Sequence, residues 1–333
     1  MTNQEIRTMT IPGKNVPRVL IMDQVSPAML SLLQQEFTDS FQLVKAVPGE
    51  TATQAKECDF ILTISQVVSE DIITAGNRLK LIHKWGVGFD KIDLDAARTQ
   101  GVLVARATGV NSVAVAEATI MMILALYRQL LKADGGVRNG TWPKWDLRLN
   151  NYELRGKKVA IIGFGAIGRA VAQRLKGFET EVYYYDPIAA SPDDEKRLGV
   201  RGCLGIDELL PLCDIFCLHC NLTEENREFM NAEMFSAMKS SAMLINMARG
   251  PLVNEDDLYH ALKEGKIAAA GLDVFNKEPV DPDNPLLKLP NVILMPHVAS
   301  ATIDTVKLMA RQIRENMGRV RDGKAVDPHF LVK

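Results

Sequence analysis

The sequence predicts an α/β protein made of two doubly wound, Rossmann-like domains with parallel sheets. Three observations carry this. Short apolar runs alternate with helix-spaced segments along nearly the whole chain, the signature of βαβ units. A glycine-rich segment, Gly163-Phe164-Gly165-Ala166-Ile167-Gly168, directly follows one of those runs and opens a helical one. The length of 333 residues accommodates two ordinary domains.

In the first series, Arg18–Asp23 reads as a strand and Pro27–Phe37 as a helix. Further strands are expected at Phe41–Ala46, Asp59–Ile64, Lys80–Lys84 and Val102–Ala105, with a helix over Leu94–Gln100 that stops at Gly101. Val113–Leu131 is the most apolar stretch. Glu117 and Arg128 leave its uncharged part too short for a comfortable membrane span, so it is read as one long buried helix that packs against another subunit. Gly135–Asn151 has no clear period and reads as a loop. The second series has strands at Lys158–Ile162, Glu181–Tyr185, Ile215–Leu218, Ala242–Met247, Ala268–Leu272 and Val292–Met295. A last helix, Thr302–Arg321, ends near Gly323 and leads into an extended tail.

Apolar residues make up 47% and charged residues 24%, the balance of a soluble globular protein. A net charge of −2 points to neither nucleic acid nor an anionic membrane as a partner, although a local basic pocket for a small anion stays open. The first fifteen residues hold no apolar core of signal-peptide length. Cys213, Cys217 and Cys220 lie close together, which suggests either a metal site or small apolar packing in the run DIFCLHC. Packing is the stronger reading, so no metal is expected and a cytoplasmic location fits.

Each glycine of the glycine-rich segment has its own physical role. Gly163 permits the tight turn, Gly165 lets the backbone approach a pyrophosphate, and Gly168 lets helix and strand pack closely. The segment opens the helical run Arg169–Lys176, whose N-terminal unpaired N–H groups face the phosphates, with Ala166 and Ile167 also expected to contact the cofactor. The next strand ends in Asp186, which can accept from both ribose hydroxyls of an adenosine and would repel the phosphate of NADP. NAD is therefore the expected cofactor, with NADP second. The alternative for Asp186 is a turn residue before Pro187.

Arg249, Glu278 and His297 each follow the carboxyl end of an expected strand, the edge where open α/β sheets bind ligands. Taken singly, Arg249 would be a turn residue, Glu278 a surface charge and His297 a packed histidine. Together with GVGFDKID (Gly86–Asp93), VNSVAVAE (Val110–Glu117), the glycine-rich segment and MPHVAS (Met295–Ser300), they make the chain resemble the D-isomer-specific 2-hydroxyacid dehydrogenases over nearly its whole length.

The resemblance implies that His297 is the acid/base and that Glu278 orients its ring and favours its protonated form. Arg249 would pair with the substrate carboxylate and polarise the carbonyl. It implies further that Val87 and Gly88, in the loop Lys84-Trp85-Gly86-Val87-Gly88, bind the substrate carboxylate through backbone N–H groups, with a plain strand-end turn as the alternative. Met247 would line the cofactor site. Asp273 would lie near the nicotinamide amide or else cap a loop. The chain departs from the family at Leu218-His219-Cys220-Asn221-Leu222-Thr223, where Asn221 replaces a usual proline; His219 is read as structural.

For the substrate, Lys84 could meet a phosphate or be an exposed lysine, and Trp85 could narrow the pocket. Phosphoglycerate and glyoxylate/hydroxypyruvate compete closely, ahead of formate, with an unassigned sugar acid as a further alternative. Long phosphoglycerate dehydrogenases of the family carry regulatory domains after the catalytic core, and with the chain ending at Lys333 none is expected. The resemblance implies a discontinuous substrate domain, residues 1–109 plus 302–333, and a cofactor domain, 110–301, with the active site in the interdomain cleft and closure on binding. It also implies a homodimer. Two alternatives are an NAD-sensing corepressor-like binding protein of the same fold, and an amino-acid dehydrogenase with a catalytic lysine in place of His297.

Overall fold

The computed structural model describes residues 16–332, in two units. The chain through Val110, together with the chain from Ile303 onward, forms the first; Asn111–Thr302 forms the second.

In the first unit, β1 (Arg18–Ile21), β2 (Gln42–Lys45), β3 (Phe60–Thr63), β4 (Leu81–Lys84) and β5 (Leu103–Arg106) make a parallel sheet in the order β2-β1-β3-β4-β5. Its central strands are apolar without alternation because both faces are covered. Of the helices α1 (Pro27–Phe37), α2 (Thr51–Ala55), α3 (Glu70–Ala75) and α4 (Leu94–Thr99), two have side-chain caps. Ser26 Oγ accepts from Met29 N at 3.2 Å, with Pro27 opening the helix, and Asp93 accepts from Ala96 N at 2.9 Å.

The second unit is a seven-stranded parallel sheet of β6 (Lys158–Ile162), β7 (Glu181–Tyr185), β8 (Val200–Gly202), β9 (Ile215–Leu218), β10 (Met243–Asn246), β11 (Ala269–Leu272) and β12 (Val292–Leu294). The order is β12-β11-β10-β9-β6-β7-β8. The order reverses between β6 and β9, which opens a crevice at their carboxyl ends. Helices α5 (Ser112–Tyr127), α6 (Leu130–Arg138), α7 (Lys144–Asn150), α8 (Ala166–Leu175), α9 (Pro192–Leu198), α10 (Ala232–Ala237) and α11 (Glu255–Lys263) belong to this unit. Ile161, Ile215, Cys217 and Ile245 face a core with α5 and α8, whereas Ile162, Phe216, Leu218 and Leu244 face one with α11. Cys213 lies in the second of these cores and Cys217 in the first, so the sheet separates two of the three clustered cysteines.

The chain returns to the first unit through α12 (Ile303–Arg321). The tail then pairs with β5, Arg106 N donating to Phe330 O at 2.8 Å and Val332 N to Val104 O at 2.9 Å.

The region 113–151 departs from expectation. The long apolar helix is broken, because Gln129 takes a left-handed conformation (φ 45°, ψ 46°) and α6 leaves α5 at 63°. Gly135–Asn151 is not a loop: it holds the end of α6 and all of α7. Neither helix buries a residue within the chain, and they run only nine and seven residues, too short for a clear sequence period. β8 leaves no sequence signal either; it is three residues long with one buried side chain. Among the described residues no single helix is long and apolar enough to cross a membrane.

In β4, His83 is fully buried, its Nδ1 3.0 Å from Lys84 O and its Nε2 3.0 Å from Asn316 Nδ2 of α12. The amide of Asn316 donates, so Nε2 accepts and Nδ1 carries the proton. Burial lowers the pKa of His83 from 6.5 to about 4. The unfolded chain therefore takes up a proton at this residue that the folded chain refuses. Stability is fully present above pH 6.5 and is lost as pH falls toward 4, by about 3 kcal/mol in all. Denaturant titrations at pH 7 and 4.5 check this. His83→Gln should lose clearly less stability on acidification than the wild type, and equal losses would rule the assignment out.

Candidate active site

The cofactor end is built at the carboxyl edge of β6. Gly163 sits at φ 95° and donates to Tyr185 O at 2.9 Å; a Cβ there would lie 2.4 Å from Cys220 N. A Cβ on Gly168 would lie 2.3 Å from Gly163 O, whereas one on Gly165 would meet nothing within 4 Å. The turn is thus closed on two sides and open at Gly165. Gly165 is also the N-cap of α8 and makes no side-chain cap, so the first N–H groups of the helix, including those of Ala166 and Ile167, lie beside the open side.

At the end of β7, Asp186 Oδ2 accepts from Phe164 N at 2.7 Å and Oδ1 from Ile188 N at 2.8 Å. These bonds fix the carboxylate beside the turn and leave each oxygen further acceptor capacity. This combination of an open helix terminus and a fixed carboxylate fits a dinucleotide diphosphate with an unphosphorylated ribose.

Across from Gly163 lies the segment that departs from the family pattern. His219 N donates to Ile162 O at 2.7 Å, while both ring nitrogens are shut from solvent without a partner. Burial pushes that imidazole down to about 3, so it is neutral and no proton donor near neutral pH. Burial likewise raises the Cys220 thiol to about 11, leaving it protonated. Asn221 is tied through its backbone: its carbonyl accepts from Asn226 Nδ2 at 2.8 Å, a bond that a proline at 221 would also allow.

Arg249, Glu278 and His297 stand on loops at the carboxyl ends of β10, β11 and β12. Asn246, 1% exposed, staples the first loop: its Oδ1 accepts from Ala248 N at 3.0 Å and its Nδ2 donates to Arg249 O at 2.8 Å. Arg249 is half-buried and its Nη1 donates to Ala248 O at 2.7 Å. Gly250 presses this loop against the next, since a Cβ there would lie 2.0 Å from Phe275 C and 2.4 Å from Asn276 N. Glu278 Oε1 accepts from Phe275 N at 3.2 Å, and Oε2 lies 2.8 Å from His297 Nδ1.

His297 adopts φ 55°, unusual for a residue with a Cβ, and donates its N–H to Asp273 O at 2.7 Å. The buried Asp273 carboxylate accepts from Val298 N at 2.7 Å and Ala299 N at 2.9 Å. Burial raises the pKa of Asp273, and those two N–H groups oppose the rise. The geometry of Asp273 is thus that of the loop brace that was its alternative reading, with one bond from each oxygen engaged. Met247, expected to line the cofactor site, is buried against the α5–α8 core.

In the first unit Lys84 is half-buried, not exposed. Its Nζ donates to Ile64 O and, at 3.2 Å, to Trp85 O. Trp85 packs against the apolar core. Gly86 turns at φ 108° and its carbonyl accepts from Ala107 N at 3.1 Å. Among the described residues no acceptor meets the N–H of Val87 or Gly88. Arg106, the register partner of Lys84, lies 5.4 Å over the Phe89 ring with its Nε buried and without a partner. Sequence reasoning missed the roles of Asn246, Gly250 and Arg106, and gave the bracing by Asp273 only as an alternative. Only Asn246 left a signal, a turn-forming amide at a strand end.

Comparison with known proteins agrees with this geometry. The model of the D-isomer specific 2-hydroxyacid dehydrogenase NAD-binding domain matches residues 120–299. The glyoxylate reductase of Korarchaeum cryptofilum is 36% identical over 95% of this chain and 96% of its own length. The D-3-phosphoglycerate dehydrogenase of Archaeoglobus fulgidus is 34% identical over 93% of this chain and 58% of its own. Among solved structures, the D-lactate dehydrogenase of Escherichia coli superposes with a TM-score of 0.80 at 27% identity, covering 92% of this chain and 98% of that one. The chain belongs to the D-isomer specific 2-hydroxyacid dehydrogenase family and is an NAD-dependent oxidoreductase of hydroxy acids.

Proposed function

We propose that the protein reduces a small 2-keto acid of the glyoxylate or hydroxypyruvate type to its D-2-hydroxy acid, or runs the reverse oxidation. The observation that carries this is the 2.8 Å contact of Glu278 Oε2 with His297 Nδ1. It fixes the ring and leaves Nε2 as the nitrogen that exchanges a proton. When bound, NADH would supply the hydride in reduction and NAD+ would accept it in oxidation.

His297 Nε2 gives a proton to the developing alkoxide in reduction and removes it in oxidation. Arg249 pairs with the substrate carboxylate and polarises the carbonyl. The N–H groups of Val87 and Gly88 are suited to donate to a carboxylate. Gly163, Gly165, Ala166, Ile167 and Gly168 hold the diphosphate, and Asp186 the adenosine ribose. Asp273 positions the His297 loop at the nicotinamide end. The relatives named above are reductases and dehydrogenases, which leaves the corepressor alternative without support.

Lys84 engages two carbonyls, which argues against its serving a phosphate. One observation favours phosphoglycerate as a second reading: the unpaired Arg106 Nε beside the Val87–Gly88 loop. Specificity constants for glyoxylate, hydroxypyruvate and 3-phosphohydroxypyruvate, each with NADH and NADPH, test the reading. Glyoxylate or hydroxypyruvate with NADH should rank first. Inactivity with all three keto acids, with NADH still bound, would refute the proposal.

A homodimer also belongs to this proposal. The exposed apolar side chains Leu131, Trp142, Trp145 and Leu149 on and between α6 and α7 support it more directly than the largely buried α5. A monomeric mass by light scattering at micromolar concentration would contradict it. The five cysteines are free thiols, consistent with a cytoplasmic location, which cell fractionation would check. No nucleic-acid or membrane partner enters this reading.

A further inference from the structure

We infer that Glu255, the first residue of α11, is a positioning residue for the Glu278–His297 pair. This rests on the catalytic reading of that pair given above. Glu255 Oε1 accepts from the backbone N–H of Asn276 at 2.6 Å, and Oε2 accepts from Asn284 Nδ2 at 2.7 Å. One carboxylate therefore holds both flanks of the loop that carries Glu278. On one flank the path to the reacting group is short. The Asn276 peptide that Glu255 grips follows Phe275, whose own N–H is bonded to Glu278 Oε1. The other oxygen of Glu278 holds His297 Nδ1. Gly250 leaves that peptide no room on its other side.

The neighbouring acids do not share this role. Asp256 is exposed, and Asp281 binds Lys277 and Asp283 N within the loop itself. Glu255 is itself fixed, because α11 begins at an Asn254 cap whose side chain accepts from Asp257 N at 3.0 Å. Freed from Glu255, the 276–284 segment loses both anchors, and Glu278 loses the fixed peptide against which it is aimed. A displacement of about 1 Å in a group that orients an acid/base lowers turnover by about 100-fold.

The test is steady-state reduction of glyoxylate or hydroxypyruvate by wild type, E255A, E255Q, N284A and E278Q, and by E255A/E278Q. NADH affinity and melting temperature are recorded for each. E255A should lower kcat about 10- to 100-fold with NADH affinity unchanged. E255Q keeps an acceptor for Asn276 N–H but turns a donor toward Asn284, and N284A removes one anchor without touching Glu255; both should fall between E255A and wild type. In the E278Q background, E255A should change kcat by less than about threefold, since its effect passes through Glu278.

A loss that multiplies with that of E278Q, or one that tracks only the melting temperature, overturns the inference. If E255A does not fold, E255Q and N284A decide by the same criteria. A wild-type kcat in E278Q would instead refute the catalytic reading of the pair, so the two failures are distinct.

Discussion

Replacing His297 by asparagine lowers kcat by about 10²- to 10⁴-fold, with NADH affinity close to wild type, in steady-state assays and a fluorescence titration of NADH. The size follows from what is removed: asparagine has no titratable nitrogen to exchange a proton with the substrate oxygen. The selectivity follows from the backbone. His297 sits at φ 55°, a conformation asparagine adopts more readily than most residues, so the bond from residue 297 N to Asp273 O survives. The cofactor turn at Gly163–Gly168 belongs to another loop of the sheet and is untouched. Near-normal turnover in this variant would remove His297 from the acid/base role.

The second large effect is expected at a residue with no side chain. Gly250→Ala places a methyl group 2.0 Å from Phe275 C and 2.1 Å from Phe275 O, closer than any packed carbon, and both neighbours are backbone. The two loops must separate. Arg249 rides on one and Glu278 on the other, so kcat/KM should fall about 100-fold or more while NADH still binds. Stability should fall by about 1–3 kcal/mol, as for other overpacked sites. Gly250→Ser should behave alike, because the cause is the Cβ. Wild-type kcat/KM in Gly250→Ala would show that the two loops need not touch.

The legible parts of the molecule were those whose cause is local. β6, β7 and β9 have the limits read from their apolar runs, because the buried middle of a strand covered on both faces is near-continuously apolar. The Gly163 turn was legible because its strained backbone and close approaches demand glycine. Arg249, Glu278 and His297 were placed at strand ends by sequence, and the structure brings the last two into contact.

What escaped reading depends on partners distant in sequence or on burying little. The grip of Glu255 on Asn284 joins different loops, with no spacing to mark it, and the loop cap offered for Asp273 came without its partners at 298–299. α7 escaped because it is seven residues long and buries none of them. Lys84, left open between a phosphate contact and an exposed lysine, was not legible because the carbonyl of Ile64 that holds it comes from a neighbouring strand end.

Whether Glu278 and His297 act as one group is decided most directly by a double-mutant cycle on kcat/KM for keto-acid reduction, with wild type, E278Q, H297N and E278Q/H297N. If Glu278 acts by orienting His297, its loss adds almost nothing once the imidazole is gone. The double variant should then match H297N within about threefold. If the two losses multiply instead, each residue acts alone, and the 2.8 Å contact between them is not the centre of the chemistry.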